Sequence, residues 1–310
     1  MASIKASGMG LMLAVTTALT PSPPPMQQQI ERLAREFDGE VGVFAMNLAN
    51  REEIALNADA RFPTASTIKT AVMLEGYHQA AEGALSLDAP VTLADADKVG
   101  GSGILNGLTA GTPMKVRDLI HLMIVLSDNT ATNMLVTRLG TARIVARLTS
   151  YGLKETKIFR PTFRDGRPDI FPELEREFGL GMSTPREMAR LMALIAEGRA
   201  VNAEASAAML ATLRGQQDRA MIPRSLPDGV QVGNKTGTDS EKQPDAKGKR
   251  GAIRVDAAIV TGKGLNYVIA IFTRRGADTR WGPDNAALLT GARISRAIFD
   301  HFAGPAKADH

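Results

Sequence analysis

Ser66 and Lys69 stand three positions apart, and no other serine in the chain has a lysine at that spacing. On a helix, positions three apart share a face, so the hydroxyl and the amine can meet. A serine hydroxyl is a poor nucleophile until a base takes its proton, and a desolvated lysine with a lowered pKa can be that base. Pro63 and Thr64 read as the start of the helix: a fixed φ, then a cap. Beyond them Ile68, Ala71, Val72, Met73 and Leu74 are apolar almost all round, the pattern of a buried helix. The pair is therefore expected where a buried helix opens into a cleft. The helix N-terminus there offers free N–H groups and positive dipole to a developing oxyanion.

A Ser-x-x-Lys pair alone arises by chance about once in a chain of this length at average composition. Two further tripeptides follow it, Ser127, Asp128, Asn129 and then Lys235, Thr236, Gly237. Each is expected by chance in about one chain in ten or fewer. The three in this order are the signature set of the serine β-lactamases and penicillin-binding proteins. In order and spacing the chain resembles the class A β-lactamases over roughly residues 28–303. The runs 128–133, 183–188 and 223–227 are similar to further stretches of that family.

The resemblance implies a role for each residue. Ser66 attacks a carbonyl to form an acyl-enzyme, and Lys69 is its base, directly or through water. Ser127 relays a proton toward the leaving nitrogen. Asn129 bonds Lys69 and the substrate's amide side chain, whereas Asp128 reads as a structural turn residue. Lys235 brings positive charge near Ser127 and a substrate carboxylate, and Thr236 offers that carboxylate a hydroxyl. Gly237 lets the strand approach the ligand. The backbone N–H groups of Ser66 and Thr238 form the oxyanion hole. Arg254 falls at the arginine that grips the carboxylate, with Arg250 as its competitor. No metal or cofactor is expected. The expected substrate is a small β-lactam or a peptidoglycan-like molecule.

One stretch departs from the pattern. Class A enzymes carry a loop glutamate that activates the deacylating water. Matching Phe171, Pro172, Glu173, Leu174, Glu175 to that loop puts Phe171 at the glutamate, while anchoring at Arg160 puts Thr162 there. Neither is a general base. Glu173 and Glu175 are the candidate substitutes, against the plainer reading of both as solvated loop charges. The resemblance thus implies β-lactam hydrolysis through an acyl-enzyme. The alternatives are a D,D-peptidase or esterase of the same superfamily, and a receptor that acylates without turnover.

The elements that must position these residues follow from periodicity. Residues 28–37 read as an amphipathic helix; 40–48 and 53–56 read as a strand hairpin. Helices are expected over 114–127, 130–139, 142–151, 185–196, 203–213 and 285–302, and strands over 229–235, 253–261 and 267–273. Residues 86–113 and 160–183 read as loop. The expected fold is α+β. An antiparallel sheet from N- and C-terminal strands is covered by helices, and a central helical subdomain leaves the active site in the cleft between. Residues 28–303 form one catalytic domain, with 28–60 and 214–303 the sheet-and-helix part and 61–213 mainly helical.

The 310 residues, 44% hydrophobic, are enough for one large domain. There is no cysteine, which excludes disulfides and thiolate chemistry, and the four histidines lack metal-ligand spacing. The net charge is +4, without a basic stripe, which argues against nucleic acid as a partner. Lys5, a short apolar run over 8–19 and a Pro- and Gln-rich stretch read as a signal peptide and linker over 1–27, with a tail at 304–310. The expected protein is exported, periplasmic or secreted, and monomeric, and no stretch is long enough to span a membrane.

Overall fold

The computed structural model describes residues 26–304. The expected leader falls outside them except for Met26 and Gln27, which begin helix α1, Met26–Arg35; the tail beyond Gly304 also falls outside. Strands β1, Glu40–Asn47, and β2, Glu53–Leu56, form the first hairpin. Then come α2, Lys69–Ala81; α3, Val116–Val125; α4, Asn129–Leu139; and α5, Thr141–Ser150. They are followed by α6, Pro172–Phe178; α7, Pro185–Ala196; and α8, Ala203–Arg214. Strands β3, Gln231–Ser240, β4, Ala252–Gly262, and β5, Leu265–Gly276, precede the closing α9, Ala286–Ala303. No helix among the described residues is long and apolar enough to cross a membrane.

The fold is α+β, with one five-stranded antiparallel sheet in the order β2-β1-β5-β4-β3. Successive strand residues face opposite ways, so the sheet buries both faces. Phe44, Val255, Ala257 and Phe272 pack toward α2, α3, α4 and α7. Val43, Ala258, Val260 and Ile271 pack toward Ile30 and Leu33 of α1 and Ile294 and Ile298 of α9. This two-sided burial is why residues 267–273 run apolar instead of alternating. Helix α2 is wrapped by the others, with Lys69 to Gly76 buried without a break, as its lack of a polar face requires.

Local chemistry sets the helix starts. Asp128, Thr184, Asn202 and Asn285 each accept a backbone N–H of the first turn of α4, α7, α8 and α9. Several boundaries differ from expectation. Strand β3 runs on to Ser240, because β-branched Thr236 and Thr238 keep pairing with β4. Helix α3 ends at Val125, because Ser127 takes a left-handed φ of 56°. Short strands form at the expected loops: Pro90–Thr92 pairs with Pro113–Lys115, which takes the start of the expected 114–127 helix, and Gly181–Ser183 pairs with Lys157–Ile158 just ahead of the 160–183 stretch. Helix α6 also lies in the stretch read as loop.

Candidate active site

Ser66 does not lie on an α-helix. It sits on a 3-10 turn, Ala65–Ile68, that runs into α2. The hydroxyl of Thr64 is not a cap; it is buried without a hydrogen-bond partner. The turn is pinned instead by backbone: Thr64 N–H donates to Gly181 O at 3.0 Å, and Thr67 Oγ1 to Thr64 O at 2.6 Å. Ala65 is held at φ 43°, a strained value for a residue with a Cβ. In a 3-10 turn positions three apart eclipse, so Ser66 still stands over Lys69. Ser66 is half-buried at the wall of a cleft of about 510 Å³.

Lys69 is fully buried. Its Nζ donates to Ser127 O at 2.7 Å, Asn129 Oδ1 at 2.8 Å and Ser127 Oγ at 3.2 Å. In this arrangement the amine bonds to Ser127 and Asn129, not to the Ser66 hydroxyl. Three acceptors suit an ammonium, but burial, and then the charge of Lys235, hold the Lys69 pKa well below the usual lysine range. Burial decides the direction, because no carboxylate touches the amine. Asp128 fixes the turn: one carboxylate oxygen caps α4 through Ala131 N–H at 2.8 Å, and the other takes Ile104 N–H at 2.7 Å and Leu105 N–H at 2.9 Å.

Strand β3 closes the other side. Lys235, fully buried, donates to Ser127 Oγ at 3.1 Å and to Thr236 O at 2.7 Å. The Ser127 hydroxyl is thus held between two lysines from opposite sides of the cleft. Burial pushes Lys235 down to about 8. A Cβ on Gly237 would come within 2.5 Å of Thr64 O and 3.0 Å of Ser66 N. Only glycine lets the strand press against the serine turn. Thr236 and Thr238 line the cleft beside Ser66.

The loop supplies the opposite wall. Thr162 lines the cleft, clamped by the Asn133 amide of α4. Thr162 N–H and Oγ1 both donate to Asn133 Oδ1, at 2.7 and 2.8 Å, and Asn133 Nδ2 donates to Thr162 O at 3.2 Å. Phe171 lies outside the cleft lining, with its ring edge-on to Phe159. Thr162, in the frame anchored at Arg160, is therefore the residue presented to the cleft.

Neither candidate acid reaches it. Glu175 is buried beneath the loop, where it accepts Arg160 Nε at 2.8 Å and Gly166 N–H at 3.2 Å. Glu173 is exposed and pairs with Arg176 at 2.6 Å. A buried arginine needs a carboxylate, and Arg160 claims Glu175.

Arg254 stands opposite Thr238 in the β3–β4 register. Its guanidinium is buried under the Trp281 ring, 5.4 Å from the centroid, and donates to the carbonyls of Asp239, Ile253 and Arg280 at 2.7–3.2 Å. It does not line the cleft, and Arg250 is exposed beside a separate groove. The expectation of a cleft-facing arginine therefore fails, because backbone carbonyls and Trp281 take up the side chain. Trp281 and Phe163 do line the cleft and are exposed, yet were not singled out. Their signal was large aromatics in polar loops, in a chain of 5% aromatics. Among the described residues no group of three or more His, Cys, Asp or Glu is placed to hold a metal ion.

Chemically, the arrangement offers a hydroxyl open to a ligand, a buried amine biased toward its neutral form, and a second hydroxyl able to pass a proton. A family model described as the beta-lactamase enzyme family matches residues 25–302. A β-lactamase of Streptomyces cellulosae is 30% identical over 254 residues, spanning 76% of this chain and 78% of that one. The crystal structure of a β-lactamase from Sphaerobacter thermophilus superposes with a TM-score of 0.73 at 30% identity, over 88% of this chain and 95% of that one. A mutant of PBP-A, solved as its acyl-enzyme complex with penicillin G, superposes at 0.75 with 25% identity, over 89% and 96%.

Proposed function

Because the chain belongs to the beta-lactamase enzyme family, we propose that it is a serine hydrolase acting on β-lactams, with Ser66 as nucleophile and deacylation as its slow step. Neutral Lys69 takes the Ser66 proton, and Oγ adds to the lactam carbonyl. The N–H groups of Ser66 and Thr238 stabilise the oxyanion; such donors are worth about 3 kcal/mol each. As the C–N bond breaks, Ser127 gives its proton to the lactam nitrogen and is re-protonated from the Lys69 side. Lys235 and Thr236 hold the substrate carboxylate. The opened ring stays attached, so the acyl-enzyme gains the whole mass of the drug.

The observation that carries this reading is the Lys69–Ser127–Lys235 chain of hydrogen bonds beside Ser66. Slow deacylation is supported by Thr162 standing in the cleft wall, with Glu173 and Glu175 turned away. Water attacking the Ser66 ester then lacks the family's loop glutamate to take its proton; of the acids that line the cleft, Asp165 is paired with Arg160 and Lys242, Asp239 with Lys242, and Asp218 accepts the Ala220 N–H. The test is intact-protein mass spectrometry after mixing with a penicillin. An adduct of the drug's mass should form within seconds to minutes and persist; Ser66→Ala should form none. An equally acylated Ser66→Ala would refute the assignment of the nucleophile.

Thr162 in the wall also favours a second reading, a D,D-peptidase or esterase, whose acyl-enzymes carry different leaving groups. Faster turnover of a D-Ala-D-Ala peptide or a simple ester than of any β-lactam would establish it. We also propose export, on the apolar run after Lys5; fractionation of cells producing the full chain would test it.

A further inference from the structure

Lys235 and Asp256 are both fully buried on adjacent strands. Asp256 pairs with Thr236 in the register, one place from the partner of Lys235. Successive residues face opposite ways, so Asp256 lies on the face of Asn234 and Thr236, and Lys235 points to the other. The two charges therefore stand across the sheet from one another without touching.

The Asp256 carboxylate is tied in place. Oδ1 accepts Asn234 Nδ2 at 2.9 Å, and Oδ2 accepts the Ile222 N–H at 3.0 Å. Asn234 Nδ2 also donates to Asp218 O at 3.3 Å, which fastens the cleft-lining segment 216–218 to the strand. Two donors on a carboxylate suit its charged form. The Asn234 Oδ1 atom is buried with no partner, so this amide is oriented by its donors alone.

A buried ammonium without a contacting carboxylate depends on the charges around it. Those acting on Lys235 are Asp218 and Asp256, and on the opposing side Lys69 is its repulsive neighbour. Asp218 is exposed at the cleft wall, so water and salt screen it. Asp256 is screened by neither. We propose that Asp256 is a positioning residue for the reaction, whose buried negative charge keeps Lys235 protonated while its hydrogen bonds hold β3 and the cleft wall in register.

Burial pushes Asp256 up to about 7, while Lys235 is pushed down to about 8. Each charge favours the other: Lys235 lowers the Asp256 pKa and Asp256 raises that of Lys235. Asp218 acts on Asp256 as a like charge and Lys235 as an opposite one.

The inference rests on the functional reading above only for its kinetic readout. Asp256→Asn keeps the shape and removes the charge. The alkaline limb of the pH profile for penicillin acylation, set by loss of the Lys235 proton, should then move down by about one pH unit, a loss of about tenfold on the alkaline side. Asn234→Ala removes one of the two donors that favour the Asp256 charge; it should lower the rate at every pH and move the limb the same way by less. A merely structural Asp256 would, when replaced by Asn, lower the rate at every pH and leave the limb where it is; that unmoved limb in folded Asp256→Asn overturns the proposal.

A second readout needs neither that variant's folding nor any acylation. Coupling is reciprocal, so in Lys235→Gln the Asp256 carboxyl, followed by ¹³C NMR, should titrate at higher pH than in the parent. No movement there also overturns the inference. Failure of the nucleophile assignment would show separately, as an acylated Ser66→Ala.

Discussion

Thr162→Glu should turn a persistent acyl-enzyme into one that turns over. The backbone at Thr162 is held on both sides by the Asn133 amide, so a new side chain must leave the same point and enter the cleft that Thr162 lines. The cleft, about 510 Å³, has room for two more heavy atoms. The variant loses the Oγ1 bond to Asn133 Oδ1, at a cost of about 1 kcal/mol, while Asn133 Oδ1 keeps its 2.7 Å bond from the backbone N–H.

In return it gains a carboxylate to take a proton from the attacking water. General base catalysis is worth about 10²–10⁴-fold. At 1.36 kcal/mol per tenfold, that is about 3 to 5 kcal/mol off the deacylation barrier. The new charge also faces Lys69 and favours its ammonium, so acylation near neutral pH should slow somewhat. The assay follows the adduct by intact mass together with hydrolysed drug. Adduct lifetime should fall by at least about a hundredfold. A folded variant that acylates at a comparable rate and holds its adduct as long as the parent would refute the reasoning.

Three further outcomes follow from the same geometry. Acylation needs neutral Lys69 and charged Lys235, so its rate should rise with pH as Lys69 loses its proton and fall above about 8 as Lys235 loses its own; a rate still climbing beyond that point would contradict this pairing of roles. Gly237→Ala places a Cβ 2.5 Å from Thr64 O and 3.0 Å from Ser66 N. The strand must then withdraw from the serine turn, lowering the acylation rate about 10²–10³-fold, as for loss of one oxyanion donor, and lowering thermal stability as the backbone shifts. Glu175→Gln removes one of the two carboxylates on buried Arg160, leaving Asp165, and should cost about 2 kcal/mol in denaturant unfolding, while the folded fraction acylates and deacylates as before; altered adduct lifetime would instead make Glu175 the missing acid.

What the sequence revealed was what is local. Ser66 and Lys69 lie within one turn, Ser127 to Asn129 in one bend, and Lys235 to Gly237 on one strand, so each group reads as a short word. The sheet was legible because its strands are bounded by turns, and α2 because its residues are apolar on every side. What stayed hidden depends on distant segments meeting. Two frames of the 160–183 loop were open until Asn133, on another helix, took hold of Thr162. Glu175 read as a possible base because nothing local shows that Arg160 encloses it. Arg254 read as a carboxylate grip because the Arg280 carbonyl and the Trp281 ring that claim it are not local to it.

On the proposed mechanism, the same division explains how this site would acylate without the loop glutamate. The acylating groups sit on a turn fixed by backbone hydrogen bonds, on a capped bend and in the middle of a paired strand, and each is fastened by the elements that build the core. The water-activating position belongs to a loop held by the Asn133 amide clamp and by the ion pairs of Arg160 with Glu175 and Asp165, and only the Oγ1 bond to Asn133 holds the side chain at 162 itself. A change of residue there leaves Ser66, Lys69, Ser127 and Lys235 where they are. On the proposed mechanism the lifetime of the acyl-enzyme is therefore set separately from its formation. On this fold a short-lived and a long-lived adduct can differ by the one side chain that Asn133 presents to the cleft.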